Sequence, residues 1–379
     1  MTAPALDESG TTRPDHDSWW SDPQRLVDLA RAGRLARGTV PQRIDRYVAA
    51  RRRGTDWLLA QLRPDGALGD PANGFEYYRA PWTFGLVGEV QAAHAVCGFI
   101  RRNLLTPDGR IDGPLRKIQT DWSYRDATLI IGAQQIGEYD LSIGLFPELL
   151  RWQDPVSGAF ANDREPDGSM SDTMDIPYAC GAGFAALAVG RVDVALQVAG
   201  FLERIWDIQG SLDALDPATG LPIRFRCFWS RQRQRPYEPT DPGFGPHMIV
   251  DNTADRLQRW TIGGISAGFL CRLALAIGES RWVDLAKRYQ AFSMAATPDQ
   301  RKYPSFCKSS WGSSLLYELT GEPVYRDWTM GMGDWYVAMQ DPAGYWHPWV
   351  ERNDSDRIWI TLEYVMHLDT LIAALASRP

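Results

Sequence analysis

Two kinds of helical segment alternate along this chain. The first kind is apolar and rich in small residues. Five of its members end in glycine: APWTFGLVG (80–88), DATLIIGAQQIG (126–137), PYACGAGFAALAVG (177–190), WTIGGISAGFLCRLALAIG (260–278) and SSWGSSLLYELTG (309–321). A sixth, IWITLEYVMHLDTLIAALA (358–376), completes the series. These runs carry almost no charge on any face, and a helix apolar all round is buried on all sides. The second kind is amphipathic. In RVDVALQVAGFLERIWD (191–207), Val194, Leu196, Val198, Phe201, Leu202 and Ile205 recur at helical spacing among charges. The segment IDRYVAARRRGTDWLLAQL (44–62) behaves the same way, so both read as outer helices.

The closing glycines are spaced by 49 residues (88 to 137), 53 (137 to 190), 88 (190 to 278) and 43 (278 to 321). A period near fifty with one long interval marks an array of like units. Turns follow the outer helices: Pro64-Asp65-Gly66, Pro107-Asp108-Gly109, Asp154 to Gly158, Asp216 to Gly220 and Asp341 to Gly344. Proline presets φ in such turns and glycine supplies φ > 0. The count is six inner and six outer helices, beginning with the outer helix at 44–62. Six hairpins on one chain can close a ring. The expected fold is therefore all-α, an (α/α)6 toroid in one domain over 41–379, after a disordered tail and lead-in at 1–40. The long interval marks an insertion at 208–258, between the fourth outer and fourth inner helices. Length alone favours two domains, but neither half could bury its inner helices unaided.

Composition narrows the function little. A net charge of −7 argues against a nucleic-acid surface, which needs a basic footprint. The five cysteines are odd in number and widely spaced, so neither a disulfide scaffold nor a zinc site is signalled. No run of eighteen apolar residues occurs, so no membrane span is expected. The first residues lack the pattern of a signal peptide, and a cytoplasmic setting is expected. The expected partner is a small molecule and, at most, a second copy of the chain. No cofactor and no metal is expected.

Tryptophan is the outlier, with 16 residues. Each outer helix leads through a loop to the start of the next inner helix. Six helix N-termini, with their free N–H groups, thus gather at one mouth of the ring. Aromatic residues crowd the same loops: Tyr77, Tyr78, Trp82, Trp122, Tyr124, Tyr178, Trp260, Phe306, Trp311 and Trp359, with Arg259 among them. They serve either as wedges in a tapering ring or as a cavity wall. Aromatic faces stabilise a cation or stack on sugar rings. The acids at the mouth are Asp121, Asp126, Asp172, Asp175 and Glu363. An aspartate at a helix start is usually a cap, and Asp121 and Asp126 fit that role. Asp175 fits it poorly, because Pro177 suits the first helical position. Asp172 and Asp175 form the favoured pair, since two neighbouring carboxylates raise one pKa and yield a general acid. Glu363 sits on an otherwise apolar helix, where a carboxylate must be paired, with Arg125 or Arg259, or at work. His247, His347 and His367 are the candidate bases. No G-x-S-x-G and no phosphate-binding glycine loop occurs. The insertion carries Arg224, Arg226, Arg231, Arg233 and Arg235 around IRFRCFW, which reads as a strand pair. Such an excursion is usually a lid or binding loop. Its arginines suit a diphosphate or carboxylate, or a solvated or subunit-facing hairpin.

Outer helices ending in turns, as in WLLAQLRPDGALGD (57–70) and LLRWQDPVSGAF (149–160), together with DTMDIPYACGAGFAALAVG (172–190), resemble the terpenoid cyclase and protein prenyltransferase superfamily of α/α toroids. The Asp-x-Asp-Asp and DDxxD motifs of those cyclases are missing, and Cys180 lacks the Asp and His partners of the prenyltransferase zinc site. The resemblance thus implies metal-free, acid-initiated chemistry on a hydrophobic polyene in secondary metabolism, with Asp172 or Asp175 as proton donor and Tyr78, Trp82, Trp260 and Trp311 shielding the cation. Similar toroids include glycoside hydrolases, sugar epimerases and polysaccharide lyases, which leaves a carbohydrate-active enzyme as the alternative. A catalytically silent binding toroid is the third reading.

Overall fold

The computed structural model describes residues 38–378, apart from 74, 114–121, 166, 255–257, 297–299, 301–303, 349–350, 352 and the side chain of Trp122. The expected tail at 1–37, Asp121 and the ring of Trp122 lie outside the described residues.

Among the described residues, twelve helices of seven residues or more alternate between two layers. The outer ones are α1 (Val40–Ala60), α3 (Val90–Asn103), α5 (Tyr139–Leu150), α7 (Val192–Asp207), α9 (Arg281–Met294) and α11 (Pro323–Met339). The inner ones are α2 (Ala80–Leu86), α4 (Trp122–Gln135), α6 (Ile176–Ala188), α8 (Thr261–Ile277), α10 (Lys308–Thr320) and α12 (Asp354–Ser377). Each inner helix packs on the next, and α12 packs back on α2, so the inner ring is closed. Each inner helix also packs on the outer helix that follows it. The sixth such pair joins α12 to α1, the last helix to the first.

The punctuation of the sequence has a geometric cause. Just beyond five inner helices the chain reverses at a left-handed glycine, with φ +84° at Gly88 and +77° at Gly278. At the other end, the turns after four outer helices are clasped by antiparallel bridges: Leu62 to Leu68, Leu105 to Ile111, Gln153 to Phe160 and Leu215 to Pro222. Aspartates tighten these turns from within, as where Asp65 accepts from Ala67 N at 3.1 Å and Asp216 from Ala218 N at 2.9 Å. By length and composition α12 is apolar enough to cross a membrane, although polar residues interrupt its apolar run. Its apolar window is 72% buried inside the ring.

The insertion differs in detail from the expected strand pair. The strands β2 (Arg224–Arg226) and β3 (Phe228–Ser230) belong to different sheets. The strand β3 pairs antiparallel with β1 (Thr173–Asp175) and β4 (Arg235–Pro236), with Met174 opposite Trp229. The partner of β2 is β5 (Ile249–Asp251). One residue, Cys227, separates β2 from β3, so IRFRCFW links two sheets and does not fold on itself. The insertion is thereby pinned to the loop that leads into α6.

Small residues let the inner helices approach closely. A Cβ at Gly264 on α8 would lie 2.5 Å from Ser309 Cα and press on the Lys308 carbonyl, at the start of α10. Gly312 faces it, with the Gly264 carbonyl 2.9 Å from its own Cβ position. Overpacking such a contact typically costs about 1–3 kcal/mol. We expect Gly264→Ala to lower the unfolding free energy by that amount, read as a lower urea midpoint with an unchanged slope. A wild-type midpoint would show that α8 and α10 do not meet this tightly.

Candidate active site

The mouth is built from the first turns of the inner helices. Arg79 is the residue before α2, Tyr124 and Arg125 lie in the first turn of α4, and Lys308 begins α10. Glu363 projects from α12, 0% exposed. Lys308 Nζ donates to Glu363 Oε1, and an Arg79 guanidinium nitrogen lies 3.5 Å from Oε2. His367, one turn further on and 1% exposed, places Nε2 3.6 Å from Glu363 Oε1. Arg79 also donates to the Tyr124 hydroxyl at 3.4 Å. The partners of Glu363 are thus Arg79 and Lys308, where the sequence had offered Arg125 or Arg259.

Electrostatics fixes the charge states of this cluster. Burial works against the charge of Glu363, but Arg79 and Lys308 outweigh it and hold the carboxyl well below the usual range. Burial likewise opposes the Lys308 charge, and Glu363 wins, keeping the ammonium above its ordinary value. Burial drives the His367 imidazole down to about 4, so it is neutral at physiological pH. Within the Arg79–Glu363–Lys308 cluster two cations face one anion, a net positive charge. Both cations stand at helix N-termini, where the helix dipole disfavours them. Arg79 Nε and His367 Nδ1 are buried without a hydrogen-bond partner among the described residues.

A second carboxylate behaves in the opposite way. Burial pushes Glu76 up from 4.5 to about 7, with Asp356 adding to the rise and Arg125 and Arg79 opposing it. Its Oε1 accepts from Ser355 Oγ at 3.3 Å, and its Oε2 has no partner among the described residues. Arg125 lies over the Tyr78 ring at 4.6 Å, and Arg79 approaches the same ring at 5.5 Å. Two carboxylates whose environments drive their pKa values apart are the usual mark of an acid–base site.

An aromatic wall adjoins the ions. Trp311 stacks on Phe184 with centroids 4.4 Å apart and planes 2° from parallel. Trp82 meets Trp311 at 5.5 Å, and His367 lies against it at 5.6 Å. Tyr124 and Tyr178 meet at 5.8 Å and continue this wall toward Asp175.

The favoured acid pair takes other roles. Asp172 is held by Ser230 Oγ (2.9 Å), Gln232 N (2.7 Å), Arg233 (3.1 Å) and the Tyr237 hydroxyl (2.7 Å). Burial opposes its charge, but these donors hold the carboxyl below its ordinary value, the reverse of what a proton donor needs. Asp175 is the cap of α6, accepting from Tyr178 N at 3.0 Å, because Ile176 takes the first helical position and Pro177 the second. Its other oxygen lies 3.3 Å from Arg259. Asp126 is buried one turn into α4. Trp260 stacks on Phe292 of α9 at 4.8 Å, facing away from the centre, and Phe306 packs edge-on to Trp328 of α11 at 6.5 Å. Both are wedges. Tyr77 is fully buried beside Phe75, and Trp359 is half-buried near the start of α12. His247 meets the Phe228 ring, and His347 bonds Asp341 at 3.1 Å.

Sequence reasoning gave no role to Lys308, Arg79 or Glu76. The signal was available for two of them. A lysine opening an apolar run needs a buried anion, as Glu363 needs a buried cation, and His367 stands at i+4 from Glu363. Cys307, Glu363 and His367 also offer ligand atoms within 4.8 Å of one another. A metal ion there would have to displace the Lys308 ammonium and sit beside Arg79.

No family model and no curated protein matches this chain. Its likeness to solved structures is one of shape. A D-mannose isomerase superposes with TM-score 0.60 at 14% identity, over 85% of this chain and 96% of that one. The type II terpene cyclase MstE from Scytonema gives 0.58 at 12%, over 89% and 100%. An α-1,6-mannanase of Salegentibacter sp. HEL1_6 gives 0.55 at 13%, over 86% and 99%. This chain is an (α/α)6 toroid. The toroid's closing helix, α12, carries both Glu363 and His367, and the two cations stand at the starts of its neighbours α2 and α10.

Two tests address the ion cluster. Glu363→Gln leaves two buried cations uncompensated and is expected to cost about 3–5 kcal/mol in denaturant unfolding. Lys308→Met leaves the Arg79–Glu363 pair balanced and is expected to cost far less. Equal losses would refute this charge assignment. For Glu76, a folded-state pKa of about 7 lies above the unfolded value, so the native state binds the proton more tightly. That stabilisation is full below about pH 4.3 and is lost as pH rises through about 7. Stability measured for Glu76→Gln relative to wild type should swing toward the variant by up to about 3 kcal/mol between pH 4.5 and 8. A flat difference would mean that Glu76 titrates normally.

Proposed function

We propose that this toroid is an acid–base enzyme acting on a carbohydrate-type substrate, as an isomerase or epimerase of a hydroxy-carbonyl sugar. The observation that carries this reading is the net positive charge of the Arg79–Glu363–Lys308 cluster beside a carboxyl poised near neutrality. Removing a proton from the carbon next to a carbonyl sends the electron pair onto the carbonyl oxygen, giving an enediolate. Preorganised cations in a water-poor site stabilise such an oxyanion strongly. In this reading Glu76 takes the carbon-bound proton and returns it to the neighbouring carbon, while the hydroxyl proton passes to the former carbonyl oxygen, so that the enediolate closes to the isomeric hydroxy-carbonyl. Lys308 and Arg79 face the developing negative charge, and Glu363 holds both in place. Trp82, Trp311 and Tyr124 offer stacking faces for the sugar. The similarity in shape to a D-mannose isomerase and an α-1,6-mannanase supports it.

Polyene cyclisation remains the second reading, favoured by the stacked Trp82–Trp311–Phe184 wall and by the shape of MstE. Its proton donor would be Glu76 in place of Asp172 or Asp175. Against it, a carbocation at this wall would meet the two fixed cations Arg79 and Lys308. The two readings separate when the chain is incubated in D2O with aldoses and ketoses, and in parallel with polyprenyl substrates. Isomerised sugar carrying deuterium is expected, with kcat lowered about 10²–10⁴-fold in Glu76→Gln. Cyclised prenyl product with untouched sugars would reverse the assignment.

A further inference from the structure

The arginine-rich insertion is not used by the central site, and four of its five arginines are accounted for. Arg224 lies 3.0 Å from Asp251 and 3.9 Å from Asp213. Arg231 donates to the Ser171 carbonyl at 3.2 Å and the Met170 carbonyl at 3.3 Å. Arg233 holds Asp172 at 3.1 Å, and Arg235 holds Asp241 at 2.7 Å. Arg226 is the exception. Among the described residues its Nε and Nη1 have no hydrogen-bond partner and no carboxylate lies within ion-pair distance, while the residue as a whole is half-buried. The residue is fixed in place all the same. It lies in β2 opposite Ile249, and Gln209 holds its backbone from both sides, accepting from N at 2.9 Å and donating to O at 3.2 Å. A rigidly held, half-buried guanidinium with no anion beside it, on the wall of a cleft, points to a ligand.

Arg226 opens into a cleft of about 310 Å³, lined by Pro239, Phe244, Pro246 and Ile249, with Asp213, Arg224 and Asp251 on its rim. The wall is apolar, and the volume is at the small end for ligand pockets. Asp213 is the less neutralised acid of the lining, because Arg224 also serves Asp251 and reaches Asp213 only at 3.9 Å. The cleft therefore presents an unanswered cation, an under-neutralised carboxylate and an apolar surface. We propose that it binds an apolar amino acid as its zwitterion: carboxylate on Arg226, ammonium toward Asp213, side chain against Phe244 and the prolines. Guanidinium suits a carboxylate by shape as well as charge. This site shares no residue with the central one and stands whatever the central reaction is.

Calorimetric titration of the full chain with L-phenylalanine and L-leucine tests the assignment, with 3-phenylpropionate and phenethylamine as analogues lacking one charge each. Saturable binding of at least one amino acid is expected, weakened about tenfold or more in Arg226→Gln and in either analogue. The variant should unfold at the wild-type temperature or above it, since it loses an uncompensated charge. The amino acid should raise the midpoint of the wild type and leave that of the variant unmoved. No saturable binding of either amino acid, undiminished binding by Arg226→Gln, or equally tight binding of 3-phenylpropionate would each overturn the proposal.

Discussion

A single carboxylate joins the ring where it closes. Glu363 lies on α12, the last inner helix, and its two cations come from α2 and α10, the helices that flank α12. The inner helices are apolar on almost every face, so hydrophobic burial alone would tolerate some rotation or sliding between them. The ion cluster removes that freedom. It has strong directional demands in a buried setting, and any slip of α12 would strand charges. The same interaction that fixes the register of closure also sets the charge at the centre of the mouth. Architecture and chemistry here share one set of atoms.

Much of the architecture was legible in the sequence because its causes are local. The closing glycines mark left-handed reversals, and the Asp-Gly turns mark bridge-clasped returns. Apolarity all round in segments such as 177–190 reports burial between two layers. The arrangement within the mouth was harder to read. The surroundings of Asp172 are not legible locally, because its partners, Ser230, Arg233 and Tyr237, arrive from an insertion about sixty residues away. Asp175 was misjudged through a shift of one residue in where α6 begins. Trp260 faces outward because the helix start it occupies turns its ring toward α9. Such facts depend on which helix face meets which neighbour, and periodicity alone gives them only to within a residue or so. Glu363 was recognisable without its partners, since the cost of burying a lone charge holds in any fold.

The surrounding aromatic residues divide in the same way. Trp82 and Trp311 pack against each other between inner helices, whereas Trp260 and Phe306 fill the gap between the two helical layers. A widening ring needs bulky residues on its outer circumference and can use flat ones within. The abundance of tryptophan therefore says more about packing between the layers than about the chemistry inside them.

The pairing of α1 with α12 has a consequence for how the molecule comes into being. The face of α1 that rests on α12 stays exposed through the synthesis of the roughly three hundred residues between them, so five of the six hairpins can assemble as an open crescent first. Closing it brings together the most distant parts of the chain, a step slowed by the entropy of a very large loop. An unclosed crescent would display the greasy edges of α2 and α10 to any other copy in the same state, making late ring closure the moment of greatest risk of aggregation.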